Sequence, residues 1–173
     1  MKKIIFIMPN KGFSGAEKVV IQIINGIKDE YDCYYISESG SINLYLNENN
    51  IKHVITKKKL DKKELKKVIN KIKPDIAIAT DFRASVIMSS IKGQYVLISH
   101  LHNNPSWIKK INIKSITYAL ASINFDKIFI VSESIYNEFI FRKLIKNKIH
   151  LVSNPLSRNE ILNEDNLEYE KIY

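Results

Sequence analysis

Residues 2–20 read K-K-I-I-F-I-M-P-N-K-G-F-S-G-A-E-K-V-V. Lys2 to Met8 is a short, nearly continuous apolar run, the pattern of a strand buried on both faces. Val19, Val20, Ile23, Ile24 and Ile27 then recur at helical spacing and predict one apolar stripe. Between run and stripe lie Gly12, Ser14 and Gly15, so two of the chain's 5 glycines fall on one strand-to-helix turn. Glycine at such a turn permits unusual backbone angles and lets a ligand approach the main chain. Ser14 and Glu17 have the spacing of a capping box, which makes Ser14 the expected N-cap. The free N–H groups and the dipole at a helix start favour an anion, a phosphate or a carboxylate. Any strand-turn-helix unit needs a glycine and a cap, so position carries the functional reading: ligands of open parallel sheets bind at the carboxyl ends of strands. Gly12 and Gly15 do not form G-x-G-x-x-G, and no P-loop lysine follows, so neither nucleotide fingerprint is present.

On either side of this unit, short apolar runs alternate with amphipathic stretches. Strands are expected at Cys33–Ser37, Lys52–Thr56, Asp75–Ala79, Tyr95–Ser99, Lys127–Val131 and Lys148–Val152. Ser41–Asn49 is a short helix or a loop. Asp61–Lys73 places Leu65, Val68, Ile69 and Ile72 on one face among lysines; such a helix either lies on a membrane or packs on a sheet as a solvated surface helix. Ala84–Ile91 reads as a helix closed by Gly93. A long helical region is expected over Trp107–Ile123, and Ser132 is expected to cap a helix over Glu133–Leu144. Asn154-Pro155 then breaks the pattern, and the chain turns polar and acidic. The βαβ series predicts an α/β fold: an open parallel, Rossmann-like sheet with helices on both faces. Residues 1–156 form one domain, and 157–173 read as a linker.

Composition narrows the partners. With 173 residues and 45% hydrophobic content, one domain with a sizeable core is expected. Cys33 is the single cysteine, so a disulfide within the chain is excluded and a buried thiol expected. No signal peptide and no apolar run of membrane-spanning length is found, which reads as cytoplasmic. The net charge is +9, yet only 3 of the 27 basic residues, Arg83, Arg142 and Arg158, are arginines. Arginine is the residue of choice for bidentate phosphate and base recognition, so a nucleic-acid surface is not expected. A lysine-rich surface still favours peripheral contact with an anionic membrane face.

The expected strand ends bring together Gly12, Ser14 and Gly15; Asp81 and Arg83; His100 to Asn104; Ser132; and Asn154. A metal reading of His100 and His102 lacks further Cys, His or acidic partners, and there is no D-x-D to bridge phosphates through a divalent ion. G-x-S-x-G is absent, which removes the Ser-His-Asp reading. His102 is best placed as a polar or acid/base group facing a ligand, with a pKa suited to neutral pH, or else it fills a loop. His53 and His150 sit within strands as packing residues.

F-S-G-A-E-K-V-V after the first strand, I-S-H-L-H-N-N-P after the fifth, I-F-I-V-S-E-S after the sixth and L-V-S-N-P after the seventh occur in this order. In this they resemble the amino-terminal half of GT-B-fold, family-4-type glycosyltransferases, over residues 2 to 158. The resemblance implies retaining transfer of a sugar from a nucleotide-diphosphate sugar to a glycan or lipid-linked acceptor in bacterial surface polysaccharide synthesis, with no cofactor and no bound metal. It makes His102 the catalytic histidine beside the donor sugar. It places Ser14 and Gly15 near the donor diphosphate, beside the candidate Gly12, and Asn154 with Pro155 at the hinge. Asp81, Arg83, Asn103 and Ser132 complete the expected substrate-binding set. The family's carboxyl-terminal, nucleotide-binding domain is missing, and Tyr169–Tyr173 resembles the lead-in to its first strand. The chain alone is therefore expected neither to turn over nor to bind a nucleotide sugar tightly. The alternative is a non-catalytic module that completes the site of a partner subunit. A dinucleotide-binding domain is disfavoured by the missing fingerprint.

Overall fold

The structure, a computed structural model, describes residues 1–56 and 60–153. The expected hinge at Asn154 and Pro155, the linker over 157–173 and the lead-in at Tyr169–Tyr173 lie outside the described residues.

Seven strands form one sheet: β1 (Lys3–Ile7), β2 (Asp32–Glu38), β3 (His53–Thr56), β4 (Ile76–Thr80), β5 (Val96–Leu101), β6 (Lys127–Ile130) and β7 (Ile149–Leu151). Their order is β3-β2-β1-β4-β5-β6-β7, and every pairing is parallel. The connecting helices are α1 (Gly15–Ile27), α2 (Ile42–Glu48), α3 (Lys62–Ile72), α4 (Asp81–Ser89), α5 (Ile113–Ala121), α6 (Glu133–Glu138) and α7 (Arg142–Ile145). The chain builds outward from β1 to β3 and then returns to start β4 on the other side of β1. A crevice opens at the carboxyl ends where the direction reverses.

β1 is continuously apolar because both its faces are buried. Ile5 and Ile7 join Leu65, Val68 and Ile69 of α3, Met88 of α4 and Tyr118 of α5 in one core. Ile4, Phe6 and Met8 join Val20, Ile21 and Ile24 of α1 and Ile42 and Leu46 of α2 in the other. The helices thus cover both faces. On the α1 side of β5, Ile98 and His100 alternate with the inward Leu97 and Leu101 of the opposite face.

Five expectations are corrected. No glycine has a positive φ, so the unusual angles expected at Gly12 and Gly15 are not used; a Cβ at either would meet nothing within 4 Å. The loop from Met8 to Ser14 is long enough to turn without them, and among the described residues the left-handed ones are Asn50, Lys73 and Asp81. Gly93 does not close α4, which ends at Ser89; instead the Tyr95 ring packs where its Cβ would lie. The region 107–123 is broken into a 3-10 turn at Ser106–Lys109, α5, and a second 3-10 turn at Ser122–Asn124. Asn112 restarts the helix by accepting the N–H groups of Lys114 (2.9 Å) and Ser115 (3.1 Å). The helix expected over Glu133–Leu144 splits at Phe139, because the Ile140 N–H leaves the helical ladder to donate to the Ile108 carbonyl at 3.0 Å. His150 is exposed and only meets the Phe129 ring edge-on at 6.0 Å, so it is no packing residue.

Candidate functional site

Glu17 is the hub of the rim above β1. It is fully buried in the first turn of α1. Its carboxylate accepts the Ser14 N–H at 2.9 Å, the Ser14 hydroxyl, and the Asn10 amide at 3.2 Å. Ser14 thus caps the helix as its spacing predicts. The position that would attract an external anion already holds a carboxylate, which weakens the helix start as a phosphate site by itself. Gly12, Ser14 and Gly15 remain exposed on the loop.

Behind this loop, β4 and β5 end in Thr80, Asp81, His100 and His102. Asp81 opens α4 with a φ of 64°, a left-handed conformation costly for a residue with a Cβ. Burial pushes its carboxyl pKa up; the backbone N–H of His102 opposes this, and the charge of Glu17 adds to it. The His100 and His102 rings lie 4.0 Å apart at 47°. Burial, reinforced by His102, lowers the His100 pKa to about 3. Burial lowers His102 to about 4, against the pull of Glu17. The expectation that His102 titrates near neutral pH is thereby corrected. At pH 7 it is a neutral hydrogen-bonding imidazole and a poor base.

Several buried polar atoms at this rim have no hydrogen-bond partner: the Tyr35 hydroxyl, Thr80 Oγ1, Asp81 Oδ1, and Nε2 of both His100 and His102. An unpaired buried polar atom costs about 1–3 kcal/mol, and native structures hold few of them. The four at the adjoining ends of β4 and β5, from Thr80, Asp81, His100 and His102, are what a polar ligand would satisfy.

Arg83 is half taken. One guanidinium nitrogen donates to the buried carboxylate of Glu38 at 2.9 Å and to the Leu60 carbonyl at 3.4 Å, and another to the Pro9 carbonyl at 3.4 Å. Burial pushes Glu38 upward, but the Leu60 N–H, Arg83 and Lys11 outweigh it and hold its carboxyl below the usual range. Arg83 therefore ties the rim loops together, with its exposed side facing a cleft of about 650 Å³. Asp81, Arg83 and Asn103 stand at the polar side of this cleft, and Phe82, Trp107 and Tyr118 form its wall. Phe82 meets Trp107 and Tyr118 edge-on at 4.6 and 4.7 Å. Asn112 fixes the wall by donating to the Trp107 carbonyl at 2.6 Å.

The structure brings Ser14, Asp81, Arg83, His102 and Asn103 to one edge. Ser132 is exposed at the end of β6, accepts the Ser134 N–H at 3.3 Å to cap α6, and does not line the cleft. Asn154 lies outside the described residues. Sequence reasoning placed His100 on the rim but did not single out Glu17 as a charge hub or the aromatic wall. The H-x-H spacing held the signal for His100, since alternate strand residues share a face. Among the described residues no group of three or more His, Cys, Asp or Glu is placed to hold a metal ion.

No protein-family model and no curated protein matches the chain, but solved structures do. HepE from Anabaena in complex with UDP and glucose is similar with a TM-score of 0.77 and 18% identity, over 92% of this chain and 46% of its own. A glycosyltransferase from Rickettsia africae is similar with a TM-score of 0.61 and 16% identity, over 98% of this chain and 49% of its own. A protein from Listeria monocytogenes described as a UDP-N-acetylglucosamine 2-epimerase gives 0.62 and 12%, over 94% and 51%. The chain spans about half the length of these structures. The likeness is one of fold: this is a Rossmann-like α/β domain of the kind that forms the amino-terminal half of a GT-B fold.

Proposed function

We propose that the chain is the acceptor-side domain of a glycosyltransferase that moves a sugar, with retention of configuration, from a nucleotide-diphosphate sugar to a glycan or lipid-linked acceptor. The observation that carries this reading is the ring of unpartnered polar atoms at the β4 and β5 ends beside an aromatic-walled cleft. Aromatic faces with a few polar groups suit a sugar. Support comes also from the fold, shared with structures that hold UDP and glucose.

In the reaction the bond from the anomeric carbon to the diphosphate oxygen breaks, and a bond from that carbon to an acceptor oxygen forms. The acceptor hydroxyl's proton passes to the departing diphosphate oxygen, and the nucleoside diphosphate leaves with the bonding electron pair. The neutral His102 contributes a hydrogen bond to the donor sugar instead of removing that proton. Asp81 and Asn103 orient acceptor hydroxyls, and the loop at Gly12, Ser14 and Gly15 approaches the diphosphate. These contributions are positioning and electrostatic ones.

The test is sugar transfer from UDP-sugars by a longer polypeptide that joins this chain to a carboxyl-terminal half. Transfer is expected, and His102→Ala should lower kcat about 100-fold or more. Full activity in His102→Ala, or robust transfer by the 173-residue chain alone, contradicts the assignment. The Listeria structure favours a second reading, epimerisation of a UDP-sugar on the same fold. It would show as interconversion of UDP-sugars with no acceptor present.

A further inference from the structure

One helix presents its sides in the reverse of the usual order. α5 turns Ser115, Tyr118, Ala119 and Ala121 into the protein. Its outer face carries Ile113, Ile116 and Leu120, exposed by 83, 41 and 63%, with Ile111 before it and Ile123 after it at 71 and 68%. A surface helix ordinarily points such residues at the core. α3 does so, burying Leu65, Val68, Ile69 and Ile72 under its lysines. The membrane reading of α3 is thereby corrected, since its apolar face is spent on the core.

The surroundings of the α5 stripe are cationic. Residues 106–123 contain Lys109, Lys110 and Lys114 and no acid, and of these Lys109 pairs with Glu138 at 3.0 Å. Residues 139–152 contain Arg142, Lys143, Lys146 and Lys148 and no acid. The two stretches adjoin, for Lys148 Nζ donates to the Ser122 and Ile123 carbonyls at 2.9 and 2.8 Å, and Leu144 of α7 is 63% exposed there. The stripe is also continuous with the cleft, which Ile113, Lys114 and Thr117 help to line.

We infer that the outer face of α5, with Leu144 beside it, docks on an anionic lipid surface and brings the cleft mouth to headgroup level. Aliphatic side chains ringed by lysines match acyl chains beneath anionic headgroups. A second copy of the chain is a poorer occupant, because a two-fold contact would set this lysine ring against itself. A carboxyl-terminal half would meet the ligand rim, whereas the stripe runs away from it to Ile123, at the amino end of β6. The inference deepens the reading above by naming where a lipid-linked acceptor is met. Its test needs no donor, acceptor or turnover.

The test is flotation of the 173-residue chain with vesicles of phosphatidylglycerol and phosphatidylcholine, compared with phosphatidylcholine alone. Binding is expected to the anionic vesicles at low salt and to fall steeply as salt rises. Leu120→Glu with Ile123→Glu, both outside the cleft, should lower partitioning about tenfold or more. Lys110→Gln and Lys143→Gln should each lower it about fivefold. Lys66→Gln with Lys71→Gln on α3 should leave it unchanged, which separates docking from general charge. Circular dichroism and thermal melting establish that each variant is folded. Absence of binding at low salt overturns the inference, as does binding that survives Leu120→Glu with Ile123→Glu, or binding that falls equally with the α3 pair. A dimer broken by the Leu120→Glu and Ile123→Glu pair, without any vesicle binding, overturns it in favour of a second copy.

Discussion

His100 and His102 leave β5 on the same face because alternate strand residues share one, and burial keeps both imidazoles uncharged at neutral pH. In the unfolded chain each takes a proton near pH 6.5, whereas the folded values are about 3 and about 4. Between these limits the unfolded state binds more protons. The pair's contribution to stability is therefore complete above about pH 6.5 and is lost as pH falls through about 4 and about 3. Thermal melts at pH 7 and pH 4.5 should show a drop in Tm that shrinks in His100→Gln with His102→Gln; an unchanged drop would assign it to other groups. Asp81 is disfavoured in the folded state in a different way, because its burial raises its pKa and one of its oxygens has no partner. Asn adopts left-handed backbone readily, so Asp81→Asn removes the charge and keeps the turn. It is expected to stabilise the chain by roughly 0.5–2 kcal/mol, as read by urea unfolding, while impairing transfer in the longer polypeptide. A destabilised Asp81→Asn would mean that the carboxylate serves the fold.

The strands were legible because each is a short apolar run bounded by turn residues, and β1 shows on its own that a helix lies on either side. Capping was legible at Ser14, and at Ser132, whose side chain accepts the Ser134 N–H at 3.3 Å. Helix length was not, because the breaks come from hydrogen bonds that no periodicity records: Ile140 pairs with the distant Ile108, and Asn112 gathers the nearby carbonyls of Trp107 and Lys110. Asn112→Ala should cost about 1–2 kcal/mol through the lost cap. It should also red-shift the emission of Trp107, the single tryptophan, as the wall loosens. An unshifted spectrum would show that the wall stands without the cap. The Arg83–Glu38 pair was equally hidden, since its partners are 45 residues apart. Arg83→Ala should cost roughly 2 kcal/mol in urea unfolding, because a buried carboxylate loses its main partner while Lys11 still reaches it at 3.6 Å. No loss of stability would make Arg83 a ligand group alone.

On the scale of the whole molecule, the order of strands around β1 sets one edge apart, and the loops after β1, β4 and β5 turn their polar groups toward it. The candidate site was legible at this scale, since alternating strands and helices fix which loops share an edge. The cleft wall was not, because Phe82, Trp107 and Tyr118 meet only once α4 and α5 pack. Net charge pointed to a lipid surface without saying which one. Among the described residues no helix is long and apolar enough to cross a membrane. The central claim is the proposed division of labour, in which the cleft binds acceptor and a nucleotide sugar needs a carboxyl-terminal half as well. Trp107 tests it directly, as the single tryptophan and part of the cleft wall. Its fluorescence should change saturably when the 173-residue chain is titrated with a short-chain alkyl glycoside below its micelle concentration, and should not change with UDP-glucose. Saturable binding of UDP-glucose with no response to the glycoside would contradict it.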